Sequence, residues 1–357
     1  MDVLTDAQVR RTRAVANGLD RPVRDPGPAG VTEVVRRTGG LQAQTWTAAA
    51  LAVRSRSTAT LWRDVDSARI DDRSVVRSWF HRGTIHLVAT EDLGWLRVAL
   101  QPMVDALSRR QRYTDLGLDR STRERARRLL VRTLTARGPM TRAEISETLA
   151  GLVADPAGQA VPHVIRDAAL HHEVCFGPDR GSKPTWVTTT DWLPGSVEPV
   201  SREVALAELC GRYLAAYGPA GPADLAAWSG LSLPDARAAF ATRRDLVEVS
   251  VAGQPAARLA SQAIVDEPGA ARLLGEFDTY LLGHTDRGLV LGEAHRRRIH
   301  PGGGILRPAV ARPDGAIAGT WRFVRRTGSA DVELFDAGTI DQRQLASEVA
   351  DVARFSA

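Results

Sequence analysis

The hydrophobic and polar positions of this chain fall into short stretches of helical and strand-like spacing, and one arrangement of them recurs. Residues 132 to 145, RTLTARGPMTRAEI, match residues 212 to 225, RYLAAYGPAGPADL, at an offset of 80. Each copy predicts a helix closed by glycine, a restart at proline and a second short helix. A further helical stretch follows each, His163 to His172 and Pro234 to Arg244. The pattern then turns strand-like: EVCFG and TWVTT flank the turn PDRGSKP, and LVEVSV and ARLAS flank AGQP. Such paired runs about a turn predict a hairpin. Three helices and a two-stranded ribbon make the winged-helix plan.

A more diverged copy occupies the N-terminal part. Helices are expected over 4 to 18, 31 to 38 and about 45 to 56, and SVVRSWFH with TIHLVA flanks Arg82-Gly83 as a ribbon. Thr90 is expected to cap the next helix, with Glu91 and Asp92 in its first turn. From about residue 272 the character changes: LRPAVAR and AIAGTWRFV flank the hairpin turn Asp314-Gly315, behind the basic, glycine-rich RRRIHPGGG. The expected fold is α+β and mostly helical. It comprises three tandem winged-helix units, 1–100, 101–195 and 196–265, and a C-terminal β element over 266–357.

Composition narrows the chemistry. Cys175 and Cys210 stand alone, which excludes a disulfide framework or a thiolate metal cluster and suits a reducing compartment. Residues 1 to 30 hold no apolar core of signal-peptide length, and no 18-residue apolar run follows, so the expected location is cytoplasmic, away from membranes. The net charge is +5, and residues 101 to 142 carry eleven arginines against Asp105, Asp115, Asp119 and Glu124. That surface suits a polyanion, since each phosphate contact releases counterions. It suits equally the wet face of a helix.

Familiar catalytic signatures are missing. His171, His172 and Glu173 are consecutive and cannot set two imidazoles on one helical face. PGGG at 301 to 304 lacks the Lys-Ser/Thr of a phosphate loop. No metal and no cofactor is expected. LQAQ, residues 41 to 44, is different. Residues two apart on an extended backbone face the same side, and Gly39-Gly40 before the motif with a helix start near Thr45 argues for such a link. Two amides can then converge on one point, or they can simply satisfy backbone groups at a helix start.

LQAQ together with RSWFHRGTIHLVATEDLGWL at 77 to 96, FDTYLLGHTDR at 277 to 287 and GTWR at 319 to 322 resembles the AlkZ/YcaQ-type winged-helix DNA glycosylases, over about residues 30 to 340. The resemblance implies a C-shaped protein that excises alkylated purines, with the catalytic Gln-x-Gln pair on Gln42 and Gln44. The YcaQ-like branch has an acid at the second position, so Gln44 implies the AlkZ-like branch. That branch includes self-resistance enzymes that unhook crosslinks or remove bulky adducts of DNA-alkylating antibiotics.

Neutral amides suit this chemistry. Guanine alkylated at N7 is already cationic and leaves as a neutral base, so a strong acid is unnecessary; the amides hold a water and favour an oxocarbenium-like sugar. A bifunctional enzyme needs an amine for a Schiff base, and the sole lysine, Lys183, lies in a predicted wing turn. Monofunctional hydrolysis is therefore expected, by a monomer on duplex DNA. Expected DNA contacts are Arg77, Arg82 and His86 in the first wing, then Arg287, the triplet Arg296, Arg297 and Arg298, and Arg307 and Arg322 beside a hairpin at 307 to 322 suited to the minor groove. Trp46 and Trp79 are read as core. Asp278 and His284 either seat the β element or meet the lesion. The alternatives are a non-catalytic winged-helix regulator on an operator and a protein-binding scaffold.

Overall fold

The structure, a computed structural model, describes residues 2–193, 195 and 200–357. The boundary expected between 195 and 196 falls at the edge of that set. The fold is mixed α+β and rich in helix. Among the described residues three small three-stranded sheets each contain a ribbon that follows a group of helices. The first orders Leu41–Gln42, Ile85–Ala89 and Val75–Trp79; the second orders Met140–Thr141, Thr185–Thr188 and Val174–Phe176. The third sets Asp2–Leu4 beside the ribbon Leu246–Val251 and Gln254–Leu259. A four-stranded antiparallel sheet, Arg272–Leu274, Ala309–Ala311, Ile317–Val324 and Ser329–Leu334, and the helix Gln342–Ser356 form the C-terminal part.

Three sequence expectations need correction. Residues 2–4 are a strand, parallel to Leu246–Val251, and the helix begins only at Asp6. Thr5 and Gln8 form a reciprocal capping box that fixes the helix start, leaving Val3 and Leu4 free to pair. The hydroxyl of Thr90 does not cap; it donates to the Arg73 carbonyl at 2.6 Å, and a short 3₁₀ turn precedes the helix Leu93–Ser108. The helix Trp62–Ile70 is an element that periodicity did not reveal.

The helical groups share cores. Leu41 and Val53 from the first lie in one cluster with Leu130, Ile165 and Phe176 from the second. Leu96, Leu100 and Met103 join Leu209, Tyr213 and Trp228 of the third. The helix that follows the glutamines, Trp46–Arg54, is tied to the C-terminal part by buried arginines. Arg54 donates to Glu348 at 3.2 Å and Arg56 grips Asp278 through two bonds of 2.7 and 3.0 Å. An uncompensated charge in either pair would cost about 3–5 kcal/mol, so the glutamine segment and the C-terminal sheet are held as one body.

Candidate active site

The backbone of the glutamine segment is set by glycines. Gly39 (φ 64°) and Gly40 (φ 111°) turn the chain out of the helix Gly27–Arg37, in conformations that L side chains resist. Leu41 and Gln42 then pair with Leu87 and His86, and the Ala43 amide donates to the Ile85 carbonyl at 2.8 Å. Burial alternates along this edge strand: Leu41 and Ala43 are enclosed, Gln42 is half-buried and Gln44 is exposed. Gln42 thus lies on the face away from Leu41 and Ala43, and the exposed Gln44 follows at a bend just before the next helix. Thr45 ends the strand by capping the helix Trp46–Arg54, its hydroxyl accepting from the Ala48 amide at 3.2 Å.

Arg82 orients the first amide. Its Nη2 donates to Gln42 Oε1 at 3.0 Å, and its Nη1 donates to the Trp228 carbonyl. Arg82 sits at the tip of the first ribbon with φ 57°, and a Cβ on Gly230 would stand 2.8 Å from its Cα, so the two backbones meet almost without side chains between them. Behind lies a layer of rings. His81 packs on Trp228 with centroids 4.0 Å apart, and His86 meets His81 edge-on at 5.1 Å. Burial drives the His81 imidazole down to about 3 and that of His86 well below its ordinary value, so both are neutral at physiological pH.

This geometry reassigns two residues expected at the DNA surface. His86 is 3% exposed, with Nδ1 3.0 Å from the Thr84 carbonyl; it floors the site. Arg77 points inward as well. Its Nε and Nη2 donate to the carbonyls of Ala43 at 3.1 Å and Gln44 at 3.3 Å, and its guanidinium lies 4.3 Å over the Phe176 ring. Burial lowers its pKa to about 10, which leaves it charged. Arg77 thus clamps the glutamine backbone from beneath. Neither position was legible, because ribbon alternation alone does not say which face of a small sheet is covered.

Two neighbours were missed by sequence reasoning. The Thr45 hydroxyl donates to Glu276 Oε1 at 2.7 Å, and Arg325 Nη2 donates to Thr47 Oγ1 at 2.7 Å. Glu276 directly precedes the motif FDTYLLGHTDR, and Arg325-Arg326 leads into the turn signal Thr327-Gly328. Arg325 and Arg326 form the exposed tip of the hairpin Ile317–Val324 and Ser329–Leu334.

The hairpin turn expected to probe DNA lies elsewhere. Asp314-Gly315 forms as predicted, but Tyr280 Oη donates to the Gly315 carbonyl at 2.9 Å and Arg10 pairs with Asp314 at 3.4 Å. Packing against the N-terminal helix keeps that tip from entering a groove. Of the remaining expected contacts, Arg287 donates to the Leu281 carbonyl at 2.6 Å. Arg296 pairs with Glu293, Arg298 with Glu333, and Arg322 with Asp331, each at the surface. Arg297 is exposed, and Arg307 is exposed with a 3.3 Å bond to the Arg298 carbonyl. Asp278 holds Arg56, and His284 Nε2 meets the Tyr217 carbonyl at 2.9 Å; both seat the C-terminal part. Trp79 stacks on Phe176 at 5.3 Å, and Trp46 donates to Asp66 at 2.9 Å while packing on the core.

A cavity of about 780 Å³ is lined by Trp79, Ile85, Phe176, Trp186 and Lys183. Strand alternation puts Ile85 and Trp79 on the face opposite Gln42, so this cavity and the single lysine lie away from the amides.

The α+β scaffold and the likeness to known proteins together define a DNA glycosylase. The chain belongs to the AlkZ-like DNA glycosylase family, whose pattern matches residues 35–355. It is 30% identical over 359 residues to an interstrand DNA cross-link repair glycosylase of Streptomyces sahachiroi, covering 91% of this chain and 90% of that protein. The solved structure of Streptomyces sahachiroi DNA glycosylase AlkZ is similar with a TM-score of 0.82 at 26% identity, covering 99% of this chain and 97% of that one. The operator-binding regulator is not favoured.

Proposed function

We propose that this protein is a monofunctional DNA glycosylase for N7- or N3-alkylated purines, including bulky or crosslinked adducts of a DNA-alkylating natural product, in a self-resistance role. It acts as a monomer on duplex DNA, with the three helix-and-ribbon units serving as tandem winged helices in a C-shaped arrangement. The observation that carries this reading is the pair Gln42 and Gln44 at the end of an edge strand, one amide oriented by Arg82 and the other open to solvent.

The chemistry follows from that orientation. Arg82 takes one lone pair of Gln42 Oε1, which polarises the amide and strengthens its Nε2 as a donor. The C1′–N bond breaks with its electron pair passing to the cationic purine, which leaves neutral. Positive charge appears on the sugar, and a water held by the Gln44 amide adds to C1′, releasing its proton to solvent. A bulky adduct does not fit a tight flipping pocket, so the lesion stays largely stacked; a lesion complex with the base enclosed in a pocket would reject this part.

The test is a duplex carrying 7-methylguanine, incubated with the protein and then cleaved at abasic sites with alkali. Strand scission is expected, and Gln42→Ala combined with Gln44→Ala should abolish it while DNA binding stays within a few fold. Scission retained by the double variant removes the glutamines from the reaction.

A further inference from the structure

The reaction moves a positive charge from the base to the sugar, and the groups around the glutamine strand are arranged along that axis. Arg82, a cation, holds Gln42 at one end. At the other end the hydroxyl of Thr45, next to Gln44, donates to the carboxylate of Glu276 at 2.7 Å. Resting on the function proposed above, we infer that Glu276 is an electrostatic positioning residue: its charge favours the sugar cation at the Gln44 end, so the lesion lies with its purine toward Arg82 and its sugar toward Glu276.

Several features place this carboxylate with effort. Phe277, immediately after it, has φ 54°, a strained conformation for a bulky residue that persists only where surroundings over-determine it. Those surroundings are visible. Asp278 is gripped by Arg56, and a Cβ on Gly275 would lie 3.3 Å from the Ala48 carbonyl and 3.4 Å from the Leu51 side chain, so the loop presses directly on the helix that follows the glutamines. Glu276 is half-buried, where a charge acts across a short gap with less screening than in open water. Another carboxylate, Asp66, is engaged by the indole of Trp46, which packs on the core.

A plain helix cap is the competing explanation, since an anion also suits the N-terminus of Trp46–Arg54. Charge and capping are separable by substitution. Glu276→Gln keeps an acceptor for Thr45 and removes the charge; Thr45→Val removes the bond and keeps the charge. Single-turnover rates and DNA affinity on the 7-methylguanine duplex are measured for both, for Glu276→Asp and for the unaltered protein. Glu276→Gln should lower the rate by about 10- to 100-fold at unchanged affinity, more than Thr45→Val, with Glu276→Asp recovering part of it. A rate for Glu276→Gln within twofold of the unaltered protein, or a larger loss in Thr45→Val, overturns the inference alone. Absence of scission by the unaltered protein overturns the proposed function and this inference with it.

Discussion

Arg82 and Trp228 are joined through a guanidinium that also holds Gln42: the carbonyl of Trp228, in the third helical group, accepts from Nη1 while Gln42 accepts from Nη2 at 3.0 Å. The amide on the first sheet is thus oriented from the third helical group. Arg82→Ala should free that amide and lower the single-turnover rate by about 10- to 100-fold, with DNA affinity changed much less. Arg82→Lys should recover little, since an ammonium cannot reproduce the planar two-pronged geometry. Rate and affinity measured on the same oligonucleotide decide this, and equal losses in both would contradict it.

Arg77 lies on the other side of the strand and holds the carbonyls of Ala43 and Gln44. Arg77→Ala removes two charge-assisted bonds and the contact with Phe176 from a position 9% exposed. A stability loss of about 2–4 kcal/mol in urea unfolding is expected, together with a fall in rate as the strand loosens.

Arg56 and Asp278 are both almost fully buried and bonded twice. Each single Ala variant should lose about 3–5 kcal/mol by stranding the other charge, and the double variant should lose less than the sum of the two. Additive losses in a double-mutant cycle would show that the pair does not act as a unit.

The buried histidines set the acid limit of stability. His81 is held at about 3 and His172 at about 4, in each case chiefly by burial, and His284 is pushed down as well. Each folded value lies below the ordinary 6.5, so the unfolded chain takes up these protons first. Their contribution is complete above about pH 6.5 and is lost as pH falls from there toward 4 and then 3. Each histidine weakens folding by at most about 1.4 kcal/mol per pH unit in that window. Urea midpoints at pH 7.5, 6.0 and 5.0 should fall in order; a midpoint independent of pH would refute this.

Arg325 and Arg326 occupy the exposed hairpin tip nearest the glutamine helix. If they meet phosphates, replacing both with Ala should reduce the slope of log affinity against log salt by about 2. Alanines at Arg312 and Asp314, in the tucked turn, should leave that slope unchanged.

What the sequence by itself determined is local. The ribbons, the extended Gln-x-Gln link after Gly39-Gly40 and the helix start near Thr45 follow from glycine conformations, alternation and helical spacing within a few residues. So does membership of a glycosylase family, because separated motifs survive in linear order. The tertiary structure decided which faces are covered: it turned Arg77 and His86 inward, tucked Asp314-Gly315 against Arg10, and paired Asp2–Leu4 with Leu246–Val251. It also brought Trp228 to Arg82 and Glu276 to Thr45, across separations of 146 and 231 residues. Contacts of that range arise from how whole units pack, where no single stretch of chain carries enough local preference to announce its partner.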